Sequence, residues 1–308
     1  MGYLQVGSRA VPWSHPTRLL LGKARKVDLL RYYLQVAPWL LPHLRDRPLV
    51  LTRYPEGIHG EGFYQKDVAD VAPAWAATWK DPRRPHAPRY LLCQEEATLA
   101  WLAQMAVLEI HPWHARWTSP EEPDWAVLDL DPMAPATFED AREVALVLRD
   151  FFAAKGVAAF IKTSGATGLH IYLPLGPGWT HGESQELARR LGEALGALWP
   201  EKITLQRRVD RRQGKVYWDY LQNGRGKTLA APYSPRPFPE GTVSTPFRWE
   251  ELETADPARW TLETVPSYLE EAGDPWEDMR SLRQDVRPLL RELRGGGRRP
   301  RHGRHVGG

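Results

Sequence analysis

An apolar run that ends on two acids, Trp125-Ala-Val-Leu-Asp-Leu-Asp-Pro132, constrains the fold more than any other stretch of the chain. Side chains alternate faces along an extended strand, so Asp129 and Asp131 leave it on the same side. Adjacent carboxylates at the end of a buried strand repel one another and are driven towards the neutral form. A divalent cation relieves this, and hard oxygen donors suit magnesium or manganese. A third acid in a similar apolar setting, Asp219 in Val216-Tyr-Trp-Asp-Tyr220, completes a candidate three-carboxylate metal site. Asp-x-Asp alone also recurs in solvated turns and helix caps. The apolar residues before it and the proline after it favour a strand end.

The rest of the chain supplies strands and helices in alternation. Helical periodicity runs from Val27 to Leu44, with Pro38 as a kink or early stop. A second helix is expected from about Glu95 to Val107, and a third opens on the capping pair Thr137 and Asp140 and runs through Ala154. Leu187, Leu191, Leu195 and Leu198 mark a fourth. Strand-like segments are Arg47–Arg53, Tyr90–Cys93, Ala158–Ile161 and Leu169–Leu173, and Pro232–Pro246 reads as a proline-rich wrapping segment. The expected domain is residues 1–294, followed by a basic, low-complexity tail, 295–308, read as disordered.

With 42% hydrophobic and 26% charged residues, the chain can bury a sizeable core. The formal charge is +3, but the tail carries four arginines and no acid, which leaves the remainder at about −1. Affinity for nucleic acid must therefore come from local patches. A single cysteine, Cys93, excludes an intrachain disulfide and a cysteine-based zinc site. The N-terminus lacks a signal core and no apolar run is long enough to span a membrane, so the expected location is cytoplasmic.

Three further constellations bear on chemistry. Thr163-Ser-Gly-Ala-Thr-Gly-Leu-His170 places two glycines and small hydroxyls between strands, where backbone amides can cradle phosphate; a plain hairpin with a buried histidine is the alternative. Arg207-Arg-Val-Asp-Arg-Arg-Gln-Gly-Lys215 is either a solvated basic face or a counter-charge for a triphosphate. Phe63-Tyr-Gln-Lys66 suits base stacking with a phosphate contact, or equally two core aromatics beside a surface lysine. His111-Pro-Trp-His114 is read as a turn rather than a metal pair, and Gly224-Arg-Gly-Lys-Thr228 lacks the first glycine of a phosphate loop.

Taken together, Asp129-Leu-Asp131, Ser164-Gly-x-x-Gly-Leu-His170 and Asp219 resemble the three motifs of the archaeo-eukaryotic primase superfamily. More closely, the chain is similar to the polymerase domain of bacterial ligase D. The phrases Asp28-Leu-Leu-Arg-Tyr-Tyr33, Arg53-Tyr-Pro-Glu-Gly57, Leu108-Glu-Ile-His-Pro-Trp113, Val216-Tyr-Trp-Asp-Tyr-Leu-Gln-Asn223 and Val243-Ser-Thr-Pro246 carry the resemblance along nearly the whole chain.

The resemblance implies an α+β fold of the primase type, with mixed β-sheets flanked by helices around a strand-end site. It implies a nucleotidyltransferase that extends 3′ ends at gapped or broken DNA in non-homologous end joining, with a preference for ribonucleotides. Asp129, Asp131 and Asp219 would hold two Mn2+ or Mg2+ ions. Ser164, Thr167, His170, Arg212, Gln222, Lys227 and Arg236 would surround the incoming NTP or dNTP. Lys26 and Arg18 would lie at the 5′ phosphate, Phe63 and Tyr64 at the template, with Arg53, Lys66 and His111 also on the DNA. Implied partners are 5′-phosphorylated DNA ends, a Ku-type end-binding protein and a separate ligase, since no ligase domain fits within this length. The chain departs from the family at Thr167, at Phe238, and at His15 and Arg18. De novo priming is the nearest alternative; a metal-dependent phosphohydrolase and an inactive end-binding accessory are the more distant ones.

Overall fold

A computed structural model describes residues 2–295, so the arginine-rich tail lies outside the described residues apart from Gly295. The acidic strand, Trp125–Pro132, is central to a six-stranded sheet. In order across the sheet the strands are Ile203–Thr204, Val216–Trp218, Trp125–Pro132, Leu169–Pro174, Phe160–Thr163 and Pro246–Phe247. All neighbours are antiparallel except the first pair, which is parallel.

Alternation divides this sheet into two unlike faces. Leu128, Leu130, Leu169 and Ile171 point into the main core, which includes Val144 and Leu148 of helix Phe138–Lys155 and Leu187 and Leu191 of helix His181–Leu198. On the other face Val127 and Tyr172 are covered by Trp276 and Met279, and beyond them the same face turns polar at Asp129 and His170. Helix Phe138–Lys155 starts at Thr137 with its expected capping box, Asp140 accepting from the Thr137 N–H at 2.8 Å. In helix His181–Leu198 the apolar stripe stops short of Leu198, which sits in the last turn and is 81% exposed.

A second sheet is built round Pro48–Arg53, which pairs with Phe63–Gln65, Arg89–Leu92 and Val107–Pro112; Thr78–Lys80 extends it beyond Arg89–Leu92. Helix Lys26–Leu44 backs it and runs through both Pro38 and Pro42, so Pro38 is not a stop. Burial of Val36, Ala37, Leu40, Leu41 and Leu44 offsets the hydrogen bonds the prolines cannot donate. The next helix is shorter than its periodicity suggested, Glu96–Gln104, because the chain reverses at Ala106 (φ 53°) and enters the strand at Val107.

Residues 231–234 pack against the second sheet and helix Lys26–Leu44. The Ala231 N–H donates to the Ile110 carbonyl at 2.8 Å, the Ser234 hydroxyl accepts from the Ile110 N–H at 2.9 Å, and the Tyr32 hydroxyl donates to the Tyr233 carbonyl at 2.8 Å. Among the described residues no helix is long and apolar enough to cross a membrane.

Candidate active site

Register builds the site. Asp129 lies opposite His170, and His170 lies opposite Lys162, so three polar residues cross adjacent strands in one row. His170 Nε2 is 3.3 Å from Asp129 Oδ1. Asp219 is not in a strand as its apolar setting suggested. It lies one residue past Val216–Trp218 and caps the short 3-10 turn Tyr220–Asn223. Its N–H donates to the Asp129 carbonyl at 3.1 Å, so the main chain ties the third acid to the first. One Asp219 carboxylate oxygen accepts from the Leu221 N–H at 3.1 Å, the other from the Gln222 amide at 3.0 Å.

Burial pushes Asp129 up to about 7, against the opposing pull of Lys162 and Arg236. Asp131 is pushed up to about 6, first by burial and then by the negative Asp129, with Arg212 acting against both. Burial and Asp129 also raise Asp219. These acids feel one another, and cations stand behind them. Even so, among the described residues no three His, Cys, Asp or Glu side chains are arranged to hold a metal ion as they stand. The donor chemistry fits a hard divalent cation: all-oxygen, partly desolvated and relieved by positive charge.

The glycine loop sits against this row. The Ser164 hydroxyl accepts from the N–H groups of Ala166 and Gly168, each at 3.1 Å, which occupies two amides that the sequence left free for phosphate. Gly168 has no room for a side chain, since a Cβ there would lie 2.4 Å from the Leu130 carbonyl oxygen. Arg236 donates to the Ser164 carbonyl at 2.6 Å and reaches Glu109 of the second sheet at 2.8 Å. Arg212 stacks over Tyr217, 3.4 Å from the ring centroid. The result is a desolvated acidic centre flanked by two arginines, a buried lysine and a tight loop.

The family described as LigD, primase-polymerase domain, matches residues 25–276. The chain belongs to this family. It is 33% identical over 277 residues to the bifunctional non-homologous end joining protein LigD of Bacillus subtilis, covering 88% of this chain and 44% of that protein. It is 35% identical over 306 residues to the multifunctional LigD of Pseudomonas aeruginosa, covering 96% of this chain and 36% of that protein. The chain therefore spans less than half the length of these relatives. The polymerase domain of Mycobacterium tuberculosis ligase D, solved in complex with DNA, superposes with a TM-score of 0.80 at 31% identity, covering 89% of this chain and 99% of that one. The α+β, primase-like fold and the primase-polymerase class of nucleotidyltransferase follow.

Within this LigD polymerase fold the expected site residues form two groups. Asp129, Asp131, Asp219, Ser164, His170, Arg212, Gln222 and Arg236 gather at the sheet end through the contacts above. Thr167 and Lys227 are exposed. The second group lies on the other sheet and on the helix and loops beside it. Lys26 is buried and donates to the carbonyls of Ser14 (3.1 Å) and Gln104 (2.9 Å), and its pKa is lowered by burial and then by Arg18 and Arg53. Arg18 is held by the Pro55 carbonyl and Glu56, both at 2.6 Å. Arg53 faces the Phe63 ring at 5.1 Å, and Phe63 and Tyr64 are 43% and 69% exposed, which removes the core alternative for both. Lys66 is exposed. His111 lies in the second sheet, with Thr52 Oγ1 3.1 Å from its Nε2 and the Tyr64 ring centroid 6.1 Å away.

The expected turn at His111-Pro-Trp-His114 is absent. His111 and Pro112 end a strand, and Trp113 continues into a bridge with Thr228. Sequence reading missed Lys162 and Glu109, both buried. Each stands alone among apolar strand neighbours, and that was the available signal: a charge in a buried strand needs a partner.

Proposed function

We propose that this chain extends 3′ ends at gapped or broken DNA during non-homologous end joining, taking the 5′-phosphorylated end as its landmark. The observation that carries the reading is the sharing of one desolvated sheet end by Asp129, Asp131 and Asp219, with Lys162, Arg212 and Arg236 close behind. The three carboxylates would hold two Mg2+ or Mn2+ ions, which supply charge stabilisation and an activated 3′ hydroxyl when bound. Arg212 and Arg236 face the triphosphate, adding positive charge where negative charge develops. The Ser164–Gly168 turn holds the nucleotide side of the site rigid, and alignment for in-line attack follows from that rigidity. His170, 3.3 Å from Asp129 and kept uncharged by burial, would orient that carboxylate. A preference for ribonucleotides rests on family resemblance alone.

The patch of Arg18, Lys26 and Arg53 with the exposed Phe63 and Tyr64 would take the phosphate and template at the break. A Ku-type end-binding protein and a DNA ligase activity complete the proposed pathway, inside the cytoplasm. The test is single-nucleotide addition on a gapped duplex bearing a 5′ phosphate, with and without Mn2+. Asp129→Asn and Asp219→Asn are expected to lower the rate more than about 100-fold with the fold intact by circular dichroism. Wild-type rates in either variant, or addition without a divalent ion, would exclude this site. Equal activity on unprimed single strands would favour de novo priming instead.

A further inference from the structure

The second histidine of His111-Pro-Trp-His114 has no part in the chemistry above, yet its surroundings leave it only one protonation pattern. His114 is 2% exposed. Its Nδ1 lies 2.7 Å from the indole N–H of Trp125, which can only donate, so Nδ1 accepts. Its Nε2 lies 3.0 Å from the Gln222 carbonyl, which can only accept, so Nε2 carries the proton. The ring is therefore a neutral Nε2–H imidazole held from both sides. Beneath it, Arg47 donates to the His114 carbonyl at 3.0 Å and its guanidinium lies 3.8 Å from the centroid of Trp125.

Both ends of this chain of contacts lead to the acids. Trp125 is the first residue of the strand that carries Asp129 and Asp131. Gln222 belongs to the turn capped by Asp219, and its side-chain amide donates to Asp219 Oδ2. A second clamp holds the same turn. The Asn223 side chain accepts from the Val127 N–H at 2.7 Å and donates to the Val127 carbonyl at 2.8 Å, taking the place of a strand neighbour halfway along Trp125–Pro132. The Asp219 turn has little regular structure of its own and needs such clamps.

We propose that His114 is a positioning residue: a fixed neutral imidazole that bridges the start of the acidic strand to the Gln222 carbonyl and so sets where Asp219 stands relative to Asp129 and Asp131. This rests on the reading of those acids as a metal site. A group that orients a metal-binding carboxylate from behind typically changes metal affinity about 10- to 100-fold when removed.

The test compares His114→Leu, which cannot bridge, with His114→Gln, whose amide can donate to Gln222 from nearly the same place. Mn2+ uptake is measured by electron paramagnetic resonance of the free ion, alongside kcat and the nucleotide KM. His114→Leu is expected to need about tenfold more Mn2+ for half-occupancy, with kcat reduced and the nucleotide KM nearly unchanged. His114→Gln is expected to restore most of both losses. If His114→Leu does not fold, His114→Asn carries the same expectation, since its shorter amide can meet Trp125 but not Gln222. Wild-type Mn2+ uptake with unchanged uptake in the folded variants would overturn the positioning role alone. A wild-type protein that takes up no Mn2+ would overturn the metal-site reading and this inference with it.

Discussion

At the scale of single residues, the site is governed by charge placed where water is scarce. Asp129 has a folded-state pKa of about 7, above the ordinary carboxylate value. Its protonated form therefore favours the folded state: the contribution is complete below pH ~4 and is lost as pH rises through about 7. Without divalent ions the melting temperature of the wild type should fall relative to Asp129→Asn between pH 5 and 8, and Mn2+ should recover more at pH 8 than at pH 5. Parallel melting curves that ignore pH and Mn2+ would show that no such charge is buried. Lys162 makes the opposite contribution. Its fully buried amine donates to the Thr163 carbonyl at 3.2 Å and to the Ser244 hydroxyl; burial and then Arg236 push its pKa well below the ordinary lysine value, and its positive form favours ionised Asp129. Lys162→Met should lower stability at neutral pH, because Asp129 is left buried without its counter-charge. The acid limb of its rate profile should move to higher pH, and a profile that stays in place would remove Lys162 from the electrostatics. The two aspartates were legible from alternation alone. Lys162 was not, because a lysine that ends an apolar run reads as solvent-facing until the strand register sets it opposite His170.

At the scale of elements, the strands and the capped helix were readable because each carries its own signal. The alternation of Leu128, Leu130 and the acids is one, and the Thr137–Asp140 box is another. The Asp219 turn was misread as strand because its hydrogen bonds come from far along the chain, Val127 and His114, and leave no local periodicity. The helix through Pro38 and Pro42 was legible in position but not in length, since tertiary burial overrides local propensity. The glycine loop makes the sharpest prediction at this scale. Gly168→Ala must shift backbone off the Leu130 carbonyl, so it should cost about 1–3 kcal/mol and raise the nucleotide KM. Gly156→Ala serves as the control, because a Cβ there meets nothing within 4 Å and only its positive φ resists substitution. Equal effects at the two sites, measured by denaturant melts and nucleotide titration, would show that the Ser164–Gly168 turn need not sit so close to the acidic strand.

Across the whole molecule, two sheets bring two kinds of surface together, a buried acidic centre on one and exposed aromatics with basic residues beside the other. With a charge near −1 outside the tail, the proposed affinity for DNA is assigned to that second patch rather than to the general surface. Phe63→Ala and Tyr64→Ala should each weaken binding to a gapped duplex by about 1–3 kcal/mol. Arg18→Ala should lower the slope of log affinity against log salt by about 1. Fluorescence anisotropy at several salt concentrations tests both, and unchanged slopes would move the DNA elsewhere. Arg236 joins the two sheets, with one edge of its guanidinium on Ser164 and another on Glu109 beside His111. A phosphate that draws Arg236 away from Ser164 also loosens its hold on Glu109. On the proposed reading, an arriving nucleotide would be felt at Glu109 and His111 through this one side chain, with no helix obliged to move.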